Sequence, residues 1–476
     1  MTARAFTSAE QSAFAALSGD RNPLHVDPVA ARRLLFGRQI VHGVHALLRA
    51  LDECFTGAAD PAELRRVKAD FHAGIGIDQA VELTCADRND RSADVRLEIE
   101  GAPVMSIRAE WAAARPHPAD PGVPSRPEAA ECRDRSLDDV VAASGSVPLH
   151  FDPEKAAGLF PNLTRCLPHD QLSILLGTTR LVGMECPGLH SIYSGLDLAF
   201  TPDRSGPPEL AYRVGHANRP LGLLTIEVRA PGTSGRLSAF YRPKPQAQPP
   251  FAAISRHVEP GEFSGQRALV VGGSRGLGEV AAKILAAGGA EVVITYQRGE
   301  QDARRVVAEL NAHGAKADCR RLDVLEPPRP LGPAVPGAHA LYPLYLYYFA
   351  TPPIFGAAKG RFSARRFEQF SRYYVAGFLR TARALIASGL SKVFYPSSAA
   401  VDELPPDMGE YAAAKAAGEV ACAFLQKTNS GLAVHMPRLP RAATDQTAGL
   451  LPVPSRDPVA VLLGPLRRLR EMEPPR

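Results

Sequence analysis

The frame P-L-H-x-D-P occurs twice in this chain, at Pro23–Pro28 and again at Pro148–Pro153. The first copy reads FAALSGDRNPLHVDPVAAR and the second VVAASGSVPLHFDPEKAAG, and each is followed by another histidine, His42 in QIVHGVHALL and His169 in CLPHDQLSILL. Both copies then turn to alternating, strand-like segments such as SADVRLEIE and SIYSGLDLAF. Copies this far apart describe a duplicated domain, whereas solenoid repeats recur every ~20–50 residues.

Two proline-rich stretches, Arg115–Glu128 and Arg242–Pro250, read as extended linkers and cut the 476 residues into three parts. The third part changes rhythm. RALVVGG, EVVITYQ, ADCRRLDV, LYLYYFAT, KVFYPSS and LAVHMPR alternate with helical patterns such as LGEVAAKILAAGG, which predicts a parallel sheet with helices on both faces. The expected organisation is a first copy over 1–115, a second over 129–245, an α/β domain over 263–446 and a C-terminal tail over 447–476.

Composition narrows the class. Hydrophobic residues make up 45% and charged residues 22%, the balance of a soluble protein with real cores. There is no apolar run of about 18 residues and no N-terminal apolar segment with a cleavage site, so neither a membrane span nor a signal peptide is expected. Seven cysteines lie scattered without a CxxC pair, which fits a reducing cytoplasm and predicts no metal site. A net charge of +5 without a dense basic run suits phosphate-bearing small ligands and gives no basis for nucleic-acid binding.

Two constellations carry chemistry. In Ser18–Pro28, glycine, asparagine and two prolines exclude regular helix and predict a shaped loop, within which Asp20 and His25 can do acid/base work on one small molecule. The apolar spacing of Val41, Val44, Leu48 and Leu51 starts a helix near His42, whose free N–H groups can stabilise a thioester enolate. In the third part, Gly272-Gly273-Ser274-Arg275-Gly276-Leu277-Gly278 joins a strand to a helix, a turn that lets backbone approach a pyrophosphate. Ser398, Tyr411 and Lys415 follow, the last two on one helix face. A tyrosine near pKa 10 must exchange a proton near neutrality, and an adjacent ammonium lowers its pKa.

The string SGDRNPLHVD with its following I-V-H-G resembles the MaoC-like hydratase/dehydratase family. The resemblance implies a hot-dog fold acting on 3-hydroxyacyl or 2-enoyl thioesters, with Asp20 and His25 as the catalytic pair and the Gly43 N–H as oxyanion donor. The second copy departs from it: Ser146 replaces the aspartate, Val147 the asparagine and Asp170 the glycine, leaving His150. It reads as a structural half of a double hot-dog. The third part resembles the short-chain dehydrogenase/reductase family. That likeness implies cofactor contacts from Gly272, Ser274, Arg275, Gly276, Leu277 and Gly278, from Asp323 and Val324 at the adenine, and from Lys415 at the ribose. Thr295-Tyr296-Gln297-Arg298 lacks a carboxylate for a free ribose 2′-hydroxyl, and Arg275 and Arg298 suit a 2′-phosphate, so NADP is the expected cofactor.

Departures from the reductase pattern concern turnover. Tyr348-Phe349-Ala350-Thr351 stands for the family's N-N-A-G, Tyr374 for its helix asparagine and Pro437-Arg438 for its P-G, while the segment from Glu326 leaves little room for the usual helix. The expected fold class is multidomain α+β and α/β: an N-terminal double hot-dog, then a Rossmann-type doubly wound parallel sheet. The expected function is bifunctional, NADPH-dependent reduction of a 3-oxoacyl thioester and dehydration of the 3-hydroxyacyl product, or the reverse. Expected partners are an acyl-CoA or acyl-carrier-protein thioester and further copies of the chain. The rival is a single-activity hydratase with a non-catalytic nucleotide-binding scaffold.

Overall fold

A computed structural model describes residues 2–58, 60–114, 124–327, 342–355, 360–450 and 453–473. Most of the first proline-rich stretch and most of the segment that follows Glu326 lie outside the described residues. The chain forms two compact units, Met1–Lys244 with Gly449–Leu451, and Pro245–Ala448 with Pro452–Arg476. Among the described residues no helix is long and apolar enough to cross a membrane.

The first unit opens with β1 (Thr2–Arg4), α1 (Ser8–Ser18), two single-turn helices α2 (Pro23–Val26) and α3 (Pro28–Ala31), and α4 (Gly43–Cys54). Strands β2 (Ala62–Phe71), β3 (Val81–Arg88), β4 (Ser92–Ile99) and β5 (Ala102–Ala113) complete the first half. The second runs α5 (Leu137–Val141), β6 (Ser144–Pro148), α6 (Pro153–Leu159), α7 (Pro161–Cys166), α8 (His169–Arg180), β7 (Ser191–Phe200), β8 (Glu209–Asn218), β9 (Leu223–Ala230) and β10 (Thr233–Tyr241). All ten strands form one antiparallel sheet, in the order β1-β3-β4-β5-β2-β7-β10-β9-β8-β6. The halves have matching strand orders and join where β2 pairs with β7, from Arg66↔Ala199 to Asp70↔Gly195.

Period-two burial explains which face of the sheet is covered. In β2, Val67 and Ala69 are buried while Arg66, Lys68 and Asp70 are exposed, and the buried side receives α4 and α8. Val44, Leu47, Leu48 and Leu51 of α4 and Leu172, Leu175 and Leu176 of α8 share one core. Polar contacts tie the halves at the helix ends. Asp52 Oδ1, on α4, accepts the N–H groups of Asn162 and Leu163 at 2.9 Å each, capping the otherwise unpaired start of α7. Gln171, on α8, donates to Leu64 O at 3.1 Å and accepts from Leu64 N at 2.8 Å. It thereby serves the backbone of β2 at a bulge, where pairing with β5 slips between Leu64 and Arg66.

The second unit contains α9 (Phe251–Ile254), β11 (Arg267–Val271), α10 (Gly276–Ala287), β12 (Glu291–Tyr296), α11 (Glu300–Ala312), β13 (Ala317–Arg321) and β14 (Leu344–Tyr348). It continues through α12 (Ala364–Ser371), α13 (Phe378–Ile386), β15 (Leu390–Phe394), β16 (Ser397–Ser398), α14 (Ala400–Glu403), α15 (Gly409–Thr428), β17 (Ala433–His435), β18 (Arg438–Leu439) and α16 (Pro458–Glu471). Six parallel strands take the order β13-β12-β11-β14-β15-β17. Both faces of this sheet are covered. Ala268, Val270, Val292 and Ile294 pack with α10 and α16 on one side, and Leu269, Val271, Val293 and Leu346 with α13 and α15 on the other.

Two expectations need correction. Ser18–Pro28 was expected to contain no helix, yet Asn22 and Asp27 each cap a single turn that starts on a proline. Residues 447–476 were expected to be a tail, yet Leu462, Leu466 and Leu469 of α16 are fully buried against the second unit's core. Their i, i+4, i+7 spacing makes one apolar stripe, which only burial satisfies. The second proline-rich stretch has no helix or strand and is packed at both ends. Arg242 is 1% exposed, and Pro249 O accepts from Lys283 at 2.9 Å.

The chain has one tryptophan, Trp111, which pairs with Leu64 across β2 and β5, so its fluorescence reports the first unit alone. Gln171→Ala leaves two buried backbone groups of Leu64 without their partner. It is expected to lower that unit's stability by about 2–4 kcal/mol in urea unfolding followed at Trp111. An unchanged midpoint would mean that water takes over both bonds.

Candidate active sites

The first site is assembled at the end of α1. Gly19 closes that helix in the left-handed conformation and turns the chain so that Asp20 lies 1% exposed beneath it. Asp20 Oδ1 accepts from Asn22 N at 3.1 Å, and Oδ2 accepts the hydroxyl of Thr179 at 2.7 Å. Asn22 caps Leu24 N and donates through Nδ2 to Gly183 O at 2.9 Å and Gly188 O at 3.1 Å. Thr179 is on α8 and Gly183 in the π-helical turn after it, so the second half holds the carboxylate of the first. A Cβ on Gly183 would lie 2.3 Å from Asp20 Oδ1, so any side chain there would expel it.

His25 is carried on α2. Its Nδ1 lies 2.9 Å from Ile40 O, a carbonyl with no proton, so Nδ1 donates and Nε2 remains to exchange protons. Its ring stacks on that of His42 at 3.9 Å. His42 precedes α4 and reaches Asp20 O through Nε2 at 3.1 Å. Gly43, the first residue of α4, packs against Phe71, whose ring would lie 2.7 Å from a Cβ there. As the first residue of the helix, its N–H has no acceptor inside it.

A cavity of about 190 Å³ adjoins these groups. Asp20, His25 and Gly43 are at its wall, with Leu24, Phe36, Phe71, Met105, Val182 and Ile192 making much of the rest apolar. Burial raises the pKa of Asp20 and lowers that of His25, where Asp20 and Ile40 O pull the other way. Burial also holds His42 well below the usual imidazole range. Asp20, His25 and His42 offer ligand atoms within 4.8 Å of one another. Stacked rings, however, aim their in-plane lone pairs nearly parallel, and His42 Nε2 already faces a carbonyl, so the trio suits proton transfer better than a cation.

The second copy brings no comparable pair together. Ser146 lies on a strand, exposed, and donates to Glu209 at 2.8 Å. His150 Nε2 donates to Leu17 O at 2.8 Å, which satisfies the end of α1. His169 begins α8 and packs against Phe151, and Asp170, beside it, pairs with Arg204 at 2.8 Å. Thr179 and Gly183 were missed in the sequence because no local motif marks them, and the role of His42, although it lies in I-V-H-G, because its contacts with Asp20 and His25 form only in the fold.

In the second unit Ser398 ends β16, and Tyr411 and Lys415 lie one turn apart on α15. The Tyr411 hydroxyl is hydrogen-bonded to Ser398, but burial raises its pKa. The expectation that the lysine lowers that pKa is not met. Lys415 Nζ donates to Pro396 O at 2.6 Å and stands 4.0 Å over the Tyr374 ring, farther from Tyr411 at 5.9 Å. Burial brings its own pKa to about 7. Tyr374 is buried and its hydroxyl is shared with Thr351. It lies in a π-helical turn, Arg372–Gly377, whose freed carbonyls at Tyr373 and Tyr374 accept from the hydroxyls of Tyr348 and Tyr395 at 2.7 and 3.1 Å.

The glycine turn joins β11 to α10. Gly272 has φ +82°, and a Cβ on Gly278 would meet Gly272 O at 2.2 Å, so strand and helix approach as closely as backbone allows. Ser274 is buried within the turn and Leu277 packs towards the core. No side chain caps the start of α10 at Arg275, which leaves donors of Gly276, Leu277 and Gly278 for an anion. Arg275 itself is engaged by Asp445 at 2.6 Å, which moderates the expectation that it is available for a phosphate. Arg298 is exposed beyond β12. Asp323 accepts from Gln297 at 2.7 Å and Leu325 N at 2.9 Å, and Val324 beside it is buried.

Comparison with known proteins divides the chain in the same way. The MaoC like domain matches residues 2–102 and the short chain dehydrogenase domain residues 266–329. The (R)-specific enoyl-CoA hydratase of Aeromonas caviae is 33% identical over 102 residues, 21% of this chain and 71% of that one. A short chain dehydrogenase/reductase of Aspergillus novofumigatus is 44% identical over 68 residues, 13% of this chain and 26% of that one. The match to the L-rhamnose 1-dehydrogenase (NADP(+)) of Thermoplasma acidophilum is 35% over 66 residues, 14% of this chain and 26% of that one. The chain thus matches about a quarter of the length of these dehydrogenase relatives. Among solved structures, a short chain dehydrogenase from Burkholderia cenocepacia in complex with NADP is 24% identical, with a TM-score of 0.37 over 45% of this chain and 96% of that one. Through its N-terminal residues the chain belongs to the MaoC-like dehydratase family, and it carries a short-chain dehydrogenase domain behind them.

Proposed function

We propose that the first unit adds water to a 2-enoyl thioester, or removes it from the 3-hydroxyacyl thioester, and that the second reduces a 3-oxoacyl thioester with NADPH. The observation that carries the first half is the pairing of Asp20 and His25 at the polar end of an apolar cavity. The acyl chain lies along Phe36, Met105 and Ile192, and the thioester oxygen accepts the Gly43 N–H, where negative charge develops. In hydration, one member of the pair takes a proton from the water that attacks C3 while the other gives a proton to C2. The pair ends with as many protons as it began with, and dehydration reverses each transfer. Thr179 and Asn22 aim the carboxylate, and Ile40 O turns His25 so that Nε2 does the exchange. The ten-stranded sheet with its two long helices supports a double hot-dog in which the second half is structural.

For the second unit, the uncapped start of α10 fits a pyrophosphate, with Gly272, Ser274, Arg275, Gly276, Leu277 and Gly278 holding it. Arg298, aided by Arg275, takes the 2′-phosphate, Asp323 and Val324 the adenine, and Lys415 the ribose. NADPH supplies a hydride to the carbonyl carbon when bound. Ser398 donates a hydrogen bond to the carbonyl oxygen, and Tyr411 gives that oxygen its phenolic proton. A second reading, a nucleotide-binding scaffold without turnover, draws on Lys415 being turned to Pro396 O and on Tyr374 beneath it. NADPH consumption with a 3-oxoacyl thioester separates the two.

Asp20→Asn is expected to cut hydration of a 2-enoyl thioester by about a hundredfold or more, while His150→Ala keeps the chemistry. Equal losses would refute the assignment. The same Asp20→Asn change should stabilise the first unit at pH 7. Its folded pKa lies above the ordinary 3.8, so the folded state disfavours the charged carboxylate, and the gain should shrink as pH falls towards 3.8. Trp111-monitored unfolding at several pH values measures it, and a destabilised variant at pH 7 would contradict it.

Tyr411→Phe keeps the ring but removes the proton, so ketone reduction should fall about a hundredfold or more with hydration unchanged in the same preparation. A variant that reduces the ketone as fast as the parent would exclude Tyr411 as the donor. Arg298→Ala should weaken NADPH binding by about 10–100-fold and NADH binding little, measured by titration calorimetry. Equal losses for the two nucleotides would count against a 2′-phosphate contact.

A further inference from the structure

Gln11 lies in the middle of α1 and is 2% exposed. Its Nε2 is 3.2 Å from Ile40 O and 2.8 Å from Nδ1 of His42, and its Oε1 is 3.2 Å from Nδ1 of His45. An amide nitrogen only donates and a backbone carbonyl only accepts. The contact with Ile40 O therefore decides which end of the amide faces α4.

The consequences run along the network without further choice. With Nε2 of Gln11 towards it, Nδ1 of His42 must be bare, and the ring proton is on Nε2. That N–H faces Asp20 O at 3.1 Å and Asp20 Oδ2 at 3.6 Å. The opposite tautomer would turn a lone pair towards both oxygens. His45 in turn must carry its proton on Nδ1 to meet Gln11 Oε1. Ile40 O is shared, because it also accepts from Nδ1 of His25 at 2.9 Å. One amide and one carbonyl thus set the tautomers of the two stacked imidazoles.

We propose that Gln11 is a positioning residue that locks His42 in its Nε2–H tautomer and so holds Asp20 and His25 ready for the hydratase reaction. The proposal rests on the hydratase reading above for its kinetic consequence, though not for the tautomer itself. Burial favours the neutral rings on which the lock depends. His42 is held well below the usual range, with His25, His45 and Asp20 facing it, and His45 is brought to about 3, with Glu10, Arg49 and Arg4 facing it. Gln11 bears no charge and does not line the cavity, so its effect is exerted through the rings it touches and the Ile40 carbonyl.

The test combines nitrogen NMR of the imidazoles with steady-state hydration kinetics on the full chain. In the parent, long-range correlation spectra should show the His42 proton on Nε2. Gln11→Glu presents an oxygen to Nδ1 and should move the proton there, while Gln11→Met fills the space without a donor and leaves Asp20 O alone to favour Nε2–H, so the Nδ1–H form should become detectable. Hydration of a 2-enoyl thioester by Gln11→Met should lose about 10–100-fold in kcat, with KM within about threefold. A His42 proton on Nδ1 in the parent would overturn the lock, and so would a tautomer population in Gln11→Met unchanged from the parent. A changed tautomer with unchanged kcat would overturn its catalytic importance. If the buried charge keeps Gln11→Glu from folding, the parent and Gln11→Met spectra still decide. A parent without hydration activity would refute the hydratase reading, and the spectra would still decide the lock.

Discussion

A carboxylate as buried as Asp20 is costly to keep charged, and the first unit is organised around making that burial possible. The helix that ends just before it supplies the turn, but the contacts that hold its oxygens come partly from the other half of the duplicated unit. Thr179 donates to one oxygen, and the missing side chain of Gly183 leaves room for both. Those residues can be there only because β2 and β7 pair at the centre of one sheet and set α4 and α8 side by side above it. The sheet junction and the candidate catalytic site are one construction.

This accounts physically for the fate of the second copy. Its histidine satisfies the carbonyl at Leu17, at the end of the helix that carries Gln11. The position corresponding to Gly43 carries Asp170, which pairs with Arg204, and Arg204 also reaches the buried Glu63 of β2. These groups make contacts between the halves.

The second unit depends on a different constraint, a parallel sheet covered on both faces, and its trio of Ser398, Tyr411 and Lys415 is surrounded by tyrosines. Tyr374 and Tyr395 lie under Lys415, and the hydroxyls of Tyr348 and Tyr395 satisfy carbonyls of the π-helical turn. A buried ammonium amid rings and one carbonyl loses solvation, which is why its pKa falls. The same packing that completes this core holds Lys415 on Pro396 O.

Local chemistry made much of this legible in advance. The P-L-H-x-D-P frames announced the duplication, the strand–helix alternation announced the six parallel strands, and the glycine turn, Ser398, Tyr411 and Lys415 lie on the elements their spacing required. Asp20 and His25 were readable as candidates because they sit within one short stretch whose turn residues allow few conformations, and Gly43 because it opens a helix. What spacing does not encode is distance between segments remote in sequence. Thr179, Gly183 and Gln11 carry no motif, and α16 looked like a tail because its stripe is meaningful only beside a core. The residue types that can do the chemistry were therefore determined by sequence, while their tautomers, burial and partners were decided by tertiary structure, since these depend on which groups are left to satisfy one another once water is excluded.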